Sequence, residues 1–565
     1  MDYTPTKCLN NQKKILKEKA DKNLLKKNGK IDKNETIRTK FRNNKIKIRK
    51  KNLLNQSYFS IKNFLYSLLK LYLSMNLIIS ISSHFNHISI RKLPSSFSEI
   101  TMDIIGEIGE QMVINSENVL CPDEIYVNEN KIAEGNCLIN LNNEGNITIK
   151  MIWNTQLSTC KGMFEGFTNI INIDLSKFDS SLVTDMSDMF YECNTLKSIK
   201  FGNFNTSLVT TMRGLFTRCK SLESLDLSSF NTKLVVDMYA MFCSCESLKI
   251  LIISKFDTSS VNTMHSLFEF CESLTSLNLS NFDTSLVTDM GYMFNFCKSL
   301  TSLDLSNFNT HLVTTMQDMF FACDSLVILD LSNFNTQLVT IMDYMFSNCE
   351  SLVSLYLSSF DTSKVSDMQF MFNQCSSLKS LDLSNFDTSL VTSMVQMFYG
   401  CKSLTSLNIG KFKTTKVQKM LAMFYGCSSL TSLDVSSFDT SLVKDLGSMF
   451  GECKLITSLN LTGFNTSKAD SIDKMFDGCS SLKEINLSSF NTSLVEDMGD
   501  LFAGCSSLTS LDLSNFDTSL AKYMWSMFEG CSSLTFLNLS NFNTISTQYM
   551  RYMFYGCSSL TSLDL

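Results

Sequence analysis

"LTSLNLSNFDTSLVTDMGYMFNFC" occupies residues 274–297 and closes on Cys297. Near-copies close on Cys271 and Cys323, each 26 residues away. The same interval separates cysteines 193, 219, 245, 271, 297, 323, 349, 375, 401, 427, 453, 479, 505, 531 and 557, with no insertion. Phe167 holds the equivalent place one step earlier, so about sixteen units run from 153 to 565. A spacing that strict predicts one supersecondary unit per period, stacked on its neighbours. The predicted fold is a repeat solenoid: a right-handed, leucine-rich-repeat-like coil with a parallel β-sheet and short helical or 3-10 turns.

Within one unit, Leu274, Leu277 and Leu279 follow L-x-x-L-x-L, whose alternating end fits a short strand with one buried face. Val287, Met290, Met293 and Phe294 recur at spacings of three and four, which predicts one face of a helical or 3-10 turn. Phenylalanine forms two columns, Phe204, Phe230, Phe256, Phe282 and Phe308, and Phe190, Phe216, Phe242, Phe268 and Phe294. Stacked rings bury large areas, and the methionines fill the space between them. The cysteine column invites a metal or disulfide reading. Structural zinc needs closely spaced pairs, whereas nearly every unit offers one thiol, and parallel Cβ vectors suit disulfides badly. The column is therefore read as core, with no metal or cofactor.

The phrase "MFYGCKSLTSLNIGKFKTTKVQKM" at 397–420, with the recurring motif M-F-x-x-C-x-x-L-x-x-L-x-L-S-x-F-[DN]-T, resembles the BspA-type leucine-rich-repeat surface proteins. More narrowly it resembles the repeat family of unknown function first described in mycoplasmas. The resemblance implies a leucine-rich-repeat-like solenoid with a surface, adhesion-like role, and it brings no catalytic residues. Where ordinary leucine-rich repeats place asparagine, this chain has Phe282 and its counterparts, so an asparagine ladder is not expected at that place.

Ahead of the array the composition changes twice. Residues 1–56 hold 18 Lys/Arg against 5 Asp/Glu, leaving 31 against 50 for the rest. The first stretch reads as a basic disordered tail. The acidic body argues against a nucleic-acid partner. Residues 57–83, including "NFLYSLLKLYLSMNLIISISS", read as a signal or membrane anchor; a buried helix is the other reading. Residues 90–150 alternate apolar and polar between Asn/Gly turns and are expected to form a β-rich cap. Cys121 and Cys137 either pair there as a disulfide or remain two thiols.

The search for catalytic chemistry is negative. The chain has four histidines, His84, His87, His265 and His311, and neither a zinc-protease motif nor a phosphate-binding glycine loop. An enzyme is not expected. On the strand face, 13 of 16 units carry Asp or Asn after the second strand leucine, among them Asp226, Asn278, Asp304 and Asp330. Such a column suits Ca²⁺ only with a ligand loop, which is missing, so it reads as a solvated acidic face. Ile252 and Tyr356 interrupt that column, and Ile250 and Ile328 interrupt the serine column two places before it. These four are the candidate contact residues. The expected function is non-enzymatic display of an extended surface to a protein or glycan partner, at the cell surface or secreted. The alternatives are an intracellular interaction scaffold and a self-associating structural repeat. The last alternative rests on the final "SSLTSLDL", which stops in mid-unit without a polar cap.

Overall fold

The computed structural model describes residues 98–564. The basic tail and the 57–83 segment lie outside the described residues.

Strict alternation from Ser98 onward gives the long strand β1 (Ser98–Gly106), whose even positions Ile100, Met102 and Ile104 are buried. It pairs antiparallel with β6 (Gly145–Trp153), and β6 pairs with β3 (Glu124–Val127). β3 continues into a hairpin with β4 (Asn130–Glu134), and β2 (Gly109–Met112) pairs separately with β5 (Leu138–Leu141). Cys121 and Cys137 form a disulfide across this region. On its other edge β1 pairs antiparallel with β7 (Ile170–Lys177), the first strand of the array, and β7 pairs in parallel with β8 (Ser198–Lys200). One six-stranded sheet, ordered β4-β3-β6-β1-β7-β8, thus runs from the N-terminal strands into the repeats. It covers the edge that the first coil would otherwise leave open.

From β7 onward every period completes one coil. The short strands β9 (Ser224–Asp226) and β10 (Ile250–Ile252), β11 (Ile328–Asp330) and β12 (Ser354–Tyr356), β13 (Ser380–Asp382) and β14 (Ser406–Asn408), and β15 (Phe536–Asn538) and β16 (Ser562–Asp564) form in-register parallel pairs. From β9 to β15 the central leucine turns inward, buried in all but β14, while Leu563 of the last strand β16 is exposed. A second parallel ladder runs through the residue before the first methionine, from Thr159 to Asp185 to Thr211 and onward. Between the ladders lies a dry core. Phe164, Phe190, Phe216 and their successors stack with ring centroids 5.6–5.8 Å apart over the first coils. The column Phe308, Phe334, Phe360 and Phe386 stacks at 6.2–6.5 Å. Burying one such ring contributes about 2–3 kcal/mol.

The helical or 3-10 turns expected at M-x-x-M-F are not confirmed: no helix is present among the described residues. The segment is a chain of hydrogen-bonded turns. In the coil that closes on Cys297, Met293, Asn295 and Cys297 donate to carbonyls three residues back, Met290, Tyr292 and Phe294. Tyr292, Phe294 and Phe296 instead donate to Gln317, Met319 and Phe321 of the next coil. The third residue of two of these turns is left-handed, Tyr292 at φ 59° and Phe296 at φ 56°. A helix would direct every donor along its own axis. This segment sends alternate donors to the neighbouring coil, so it serves as a ladder as well as a turn.

Side chains complete the stacking. Thr284 Oγ1 donates to Asn309 O at 2.9 Å and accepts Asn309 N–H at 2.7 Å. The equivalent threonines do the same from Thr206 to Thr518 at several coils. Each cysteine thiol points at the carbonyl of the previous coil's phenylalanine, as Cys297 to Phe268 O at 3.3 Å. Burial pushes these thiols up, Cys349 to about 12, so they remain protonated donors. An asparagine ladder is present too, one residue before the phenylalanine: Asn307 Nδ2 reaches Leu279 O at 3.1 Å and Phe282 O at 2.9 Å.

Candidate functional site

Each coil has two faces whose side chains reach solvent. The first is the strand face, which holds the four residues singled out from sequence. All four project outward with 40–59% of their surface exposed. Ile250 and Ile252 flank the buried Leu251 on β10, beside Ser224 and Asp226 of β9. Ile328 on β11 lies opposite Ser354, and Tyr356 on β12 opposite Asp330, so these two are diagonal neighbours. The two pairs are three coils apart, roughly 14 Å at the ordinary strand spacing. Ser276, Asn278, Ser302 and Asp304 fill the interval. The four therefore form two small apolar spots.

The Asp/Asn column on this face has a local task. Asp304 Oδ1 accepts Ser306 N–H at 3.0 Å, and Asp330, Asp382, Asp434 and Asp512 repeat the contact two residues ahead. These Asx turns end each strand. The backbone N–H of Ser306 and its hydroxyl hold the Asp304 carboxyl below its ordinary range. Where Lys200 replaces the acid, its ammonium pairs with Asp174 of the previous coil at 2.8 Å.

The second face is the outer side of M-x-x-M-F-x-x-C. Here the coils differ most. The two residues between the methionine positions are Arg213 and Gly214, Tyr239 and Ala240, His265 and Ser266, Gly291 and Tyr292, Gln317 and Asp318, and Asp343 and Tyr344 in successive coils. The array beneath them keeps its Met, Phe, Cys and Leu. Sequence reasoning passed over these positions because they break no pattern; their signal is the disagreement among coils at fixed places.

On this face side chains from different coils meet. The Arg213 guanidinium sits 3.8 Å over the Tyr239 ring, Tyr239 stacks on His265 at 5.2 Å, and His265 leans on Tyr292 at 5.3 Å. His265 Nδ1 lies 3.0 Å from Asp289 Oδ1. Beside this file runs another: Phe270 on Phe296 at 4.6 Å, Phe296 against Phe321 at 5.2 Å, Phe321 against Tyr344 at 6.1 Å, and Tyr344 on Phe370 at 4.4 Å. Carboxylates stand among the rings. Burial pushes Glu269 up, and burial pushes Asp343 up to about 6, with Asp367 nearby adding to it. Asp318 rises to about 7, through burial first, against the opposing hydrogen bond from Tyr292. Half-buried rings with buried acids and amides are chemistry for holding a polar or cationic group against a flat apolar surface.

The profile of a family described as "Mycoplasma protein of unknown function, DUF285" matches residues 158–252, 244–352, 322–432, 404–486 and 470–564, together most of the chain. No match was found among the curated proteins. Among solved structures the chain is similar to a plant peptide hormone receptor, RGFR1, in complex with RGF2, at 15% identity and a TM-score of 0.22. That match covers 66% of this chain and 63% of the receptor's, less than two thirds of its length. A leucine-rich repeat protein from Eubacterium ventriosum matches at 14% identity and a TM-score of 0.24, over 65% of this chain and 84% of that one. The functional domain of InlJ from Listeria monocytogenes, described as including a cysteine ladder, matches at 18% identity and a TM-score of 0.18, over 59% and 70% of the two chains. With its repeats matched from 158 to 564, the chain belongs to the DUF285 family of Mycoplasma proteins of unknown function.

Proposed function

We propose that this chain is a non-enzymatic binding protein of the cell surface or the secreted fraction, whose coils present a variable face to a protein or glycan partner. One observation carries the reading: variation among coils concentrates on the turn side of M-x-x-M-F-x-x-C, where Arg213 is exposed and Tyr239, His265, Tyr292, Phe296 and Tyr344 are half-buried, while the core beneath them repeats. A constant scaffold carrying a varied, partly exposed row is what recognition by a repeat array requires. The two apolar spots at Ile250/Ile252 and Ile328/Tyr356 add contact points on the strand face. Export is supported by the Cys121–Cys137 disulfide, which suits an oxidising compartment. It is supported also by the basic-then-apolar order of residues 1–83 in the sequence. Among the described residues no helix is long and apolar enough to cross a membrane.

Two measurements test the proposal. Protease treatment of intact cells should release repeat fragments; protection of the repeats would favour the intracellular scaffold instead. A variant with Gly or Ser at the outward turn positions from 213 to 374 should fold and lose retention on intact target cells or matrix. Undiminished retention would remove the turn face from the function. Changing Ile250, Ile252, Ile328 and Tyr356 together to Ser reports on the strand face in the same assay.

A further inference from the structure

Within the variable face, one stretch has more acceptors than donors. Asn295 is 4% exposed, and its Oδ1 accepts no hydrogen bond. The side chain at this place in a coil reaches the residue 23 positions on: Thr217 bonds Ala240 O and Asn373 bonds Gln396. By the same offset, the residue 23 positions on from Asn295 is Asp318. Asp318 accepts from the Tyr292 phenol and from the Gln317 side chain. In the next coil Asp343 accepts from Gln317 Nε2 at Oδ2, 3.3 Å, with the Gln369 side chain as a further donor, yet its Oδ1 has no partner although only 8% of the residue is exposed. Glu269, one coil before Asn295, acts electrostatically on both Tyr292 and Asp318. No lysine or arginine among the described residues ion-pairs with Glu269, Asp318 or Asp343. Elsewhere on this face a cation is already in place, Arg213 over Tyr239; at the edge of the stretch Lys298 lies over Phe296 with its ammonium 3.0 Å from Glu272.

Buried acceptors without donors cost about 1–3 kcal/mol each, and more when charged. A group that carries several donors and a positive charge removes that cost. The three carboxylates come from within four consecutive coils, and no group among the described residues is arranged to hold a metal ion. The rings of Tyr292, Phe296, Phe321 and Tyr344 border them, and a planar cation stacks on such rings. Guanidinium matches the set better than ammonium does, because its fork supplies five donors in a plane.

We propose that Asn295, Asp318 and Asp343, rimmed by Tyr292, Phe296, Phe321 and Tyr344, form a recognition site for an arginine side chain of a protein partner. This rests on the reading of the chain as a binding protein and names the chemistry its turn face selects.

The test uses the full chain and a fluorescent tri-arginine peptide at physiological salt, with a tri-citrulline peptide of the same shape as the uncharged control. Asp318→Asn with Asp343→Asn should weaken tri-arginine binding at least tenfold. A strand-face pair of equal charge change, Asp304→Asn with Asp382→Asn, should alter it less than twofold. Equal losses in the two pairs would show that general acidity suffices and overturn the site; so would no loss in either. Asn295→Lys supplies the cation from the chain itself and should abolish peptide binding; retained binding would overturn the site by a second route. Retention on target cells separates this inference from the broader one. Wild type and the Asp318/Asp343 variant retained equally would discard the arginine site and leave the binding function standing. A wild type that is not retained at all would discard the binding function.

Discussion

Replacing Thr284 by valine isolates the hydrogen-bonding role of the threonine column. Thr284 is fully buried, and its hydroxyl is the partner of both the N–H and the carbonyl of Asn309. Valine keeps the β-branched outline and loses both bonds. Two backbone groups left without partners cost about 1–3 kcal/mol each. The methyl that replaces the hydroxyl returns about 1 kcal/mol of apolar burial. The net destabilisation is about 1–5 kcal/mol, centred on about 3. Thr284→Ser keeps both bonds and deletes one buried methyl, at a cost of about 1 kcal/mol. Serine should therefore be tolerated better than valine, the reverse of the order expected for a space-filling residue. Urea unfolding gives the global comparison. Because solenoids open locally, amide hydrogen exchange at Asn309 is the sharper measure, and its protection should fall in the valine variant alone. A valine variant as stable as the serine one, with the 309 amide still protected, would refute the ladder as a stabilising device.

Acidity should affect the whole array. Asp318 is raised to about 7, and Asp343, Asp477 and Asp500 to about 6, each chiefly by burial. Groups whose folded pKa exceeds the unfolded value contribute stability below the unfolded value and lose it as pH rises through the folded one. The melting temperature should thus fall between pH 5 and pH 8, and the four-fold Asp→Asn variant should flatten that slope; an unchanged slope would reject the assignment. Below about pH 4 the Asx-turn carboxylates, whose pKa values are depressed, reverse the trend as they protonate. Ala322 is left-handed at φ 54°, where several later coils use glycine, so Ala322→Gly should stabilise by about 1 kcal/mol in thermal unfolding. A thiol reagent at pH 8 should leave the buried Cys349 unmodified in the native chain and react with it on unfolding, read by mass spectrometry; ready native labelling would contradict its place in the core.

The coiled architecture and its core were legible in the sequence, because a 26-residue interval repeated without insertion leaves stacking as the way to bury Leu, Phe, Met and Cys together. The strand at Leu277–Leu279 was legible in part: its inward leucines follow from alternation, yet the coil around 276–278 carries no regular strand pairing. The segment Met290–Phe294 was not legible. Spacings of three and four suit a helix and a chain of turns alike, and the choice falls on donors whose acceptors, Gln317 and Met319, lie 25 residues away. Thr284, Asp304 and Asn307 gave no sign of their tasks for related reasons. A threonine that bridges to the next coil and an aspartate that closes a turn look in sequence like any polar residue.

The sequence by itself therefore determined the period, the inward residues and the absence of familiar catalytic motifs. Tertiary structure alone decided which outward residues act together. Ile250 and Tyr356 share a face without touching, being four coils apart, while Tyr292 and Asp318, from adjacent coils, are joined by a hydrogen bond. In a solenoid each side chain's neighbours sit one period away, so contact depends on how the coils align, and that alignment is set by the ladder bonds between them.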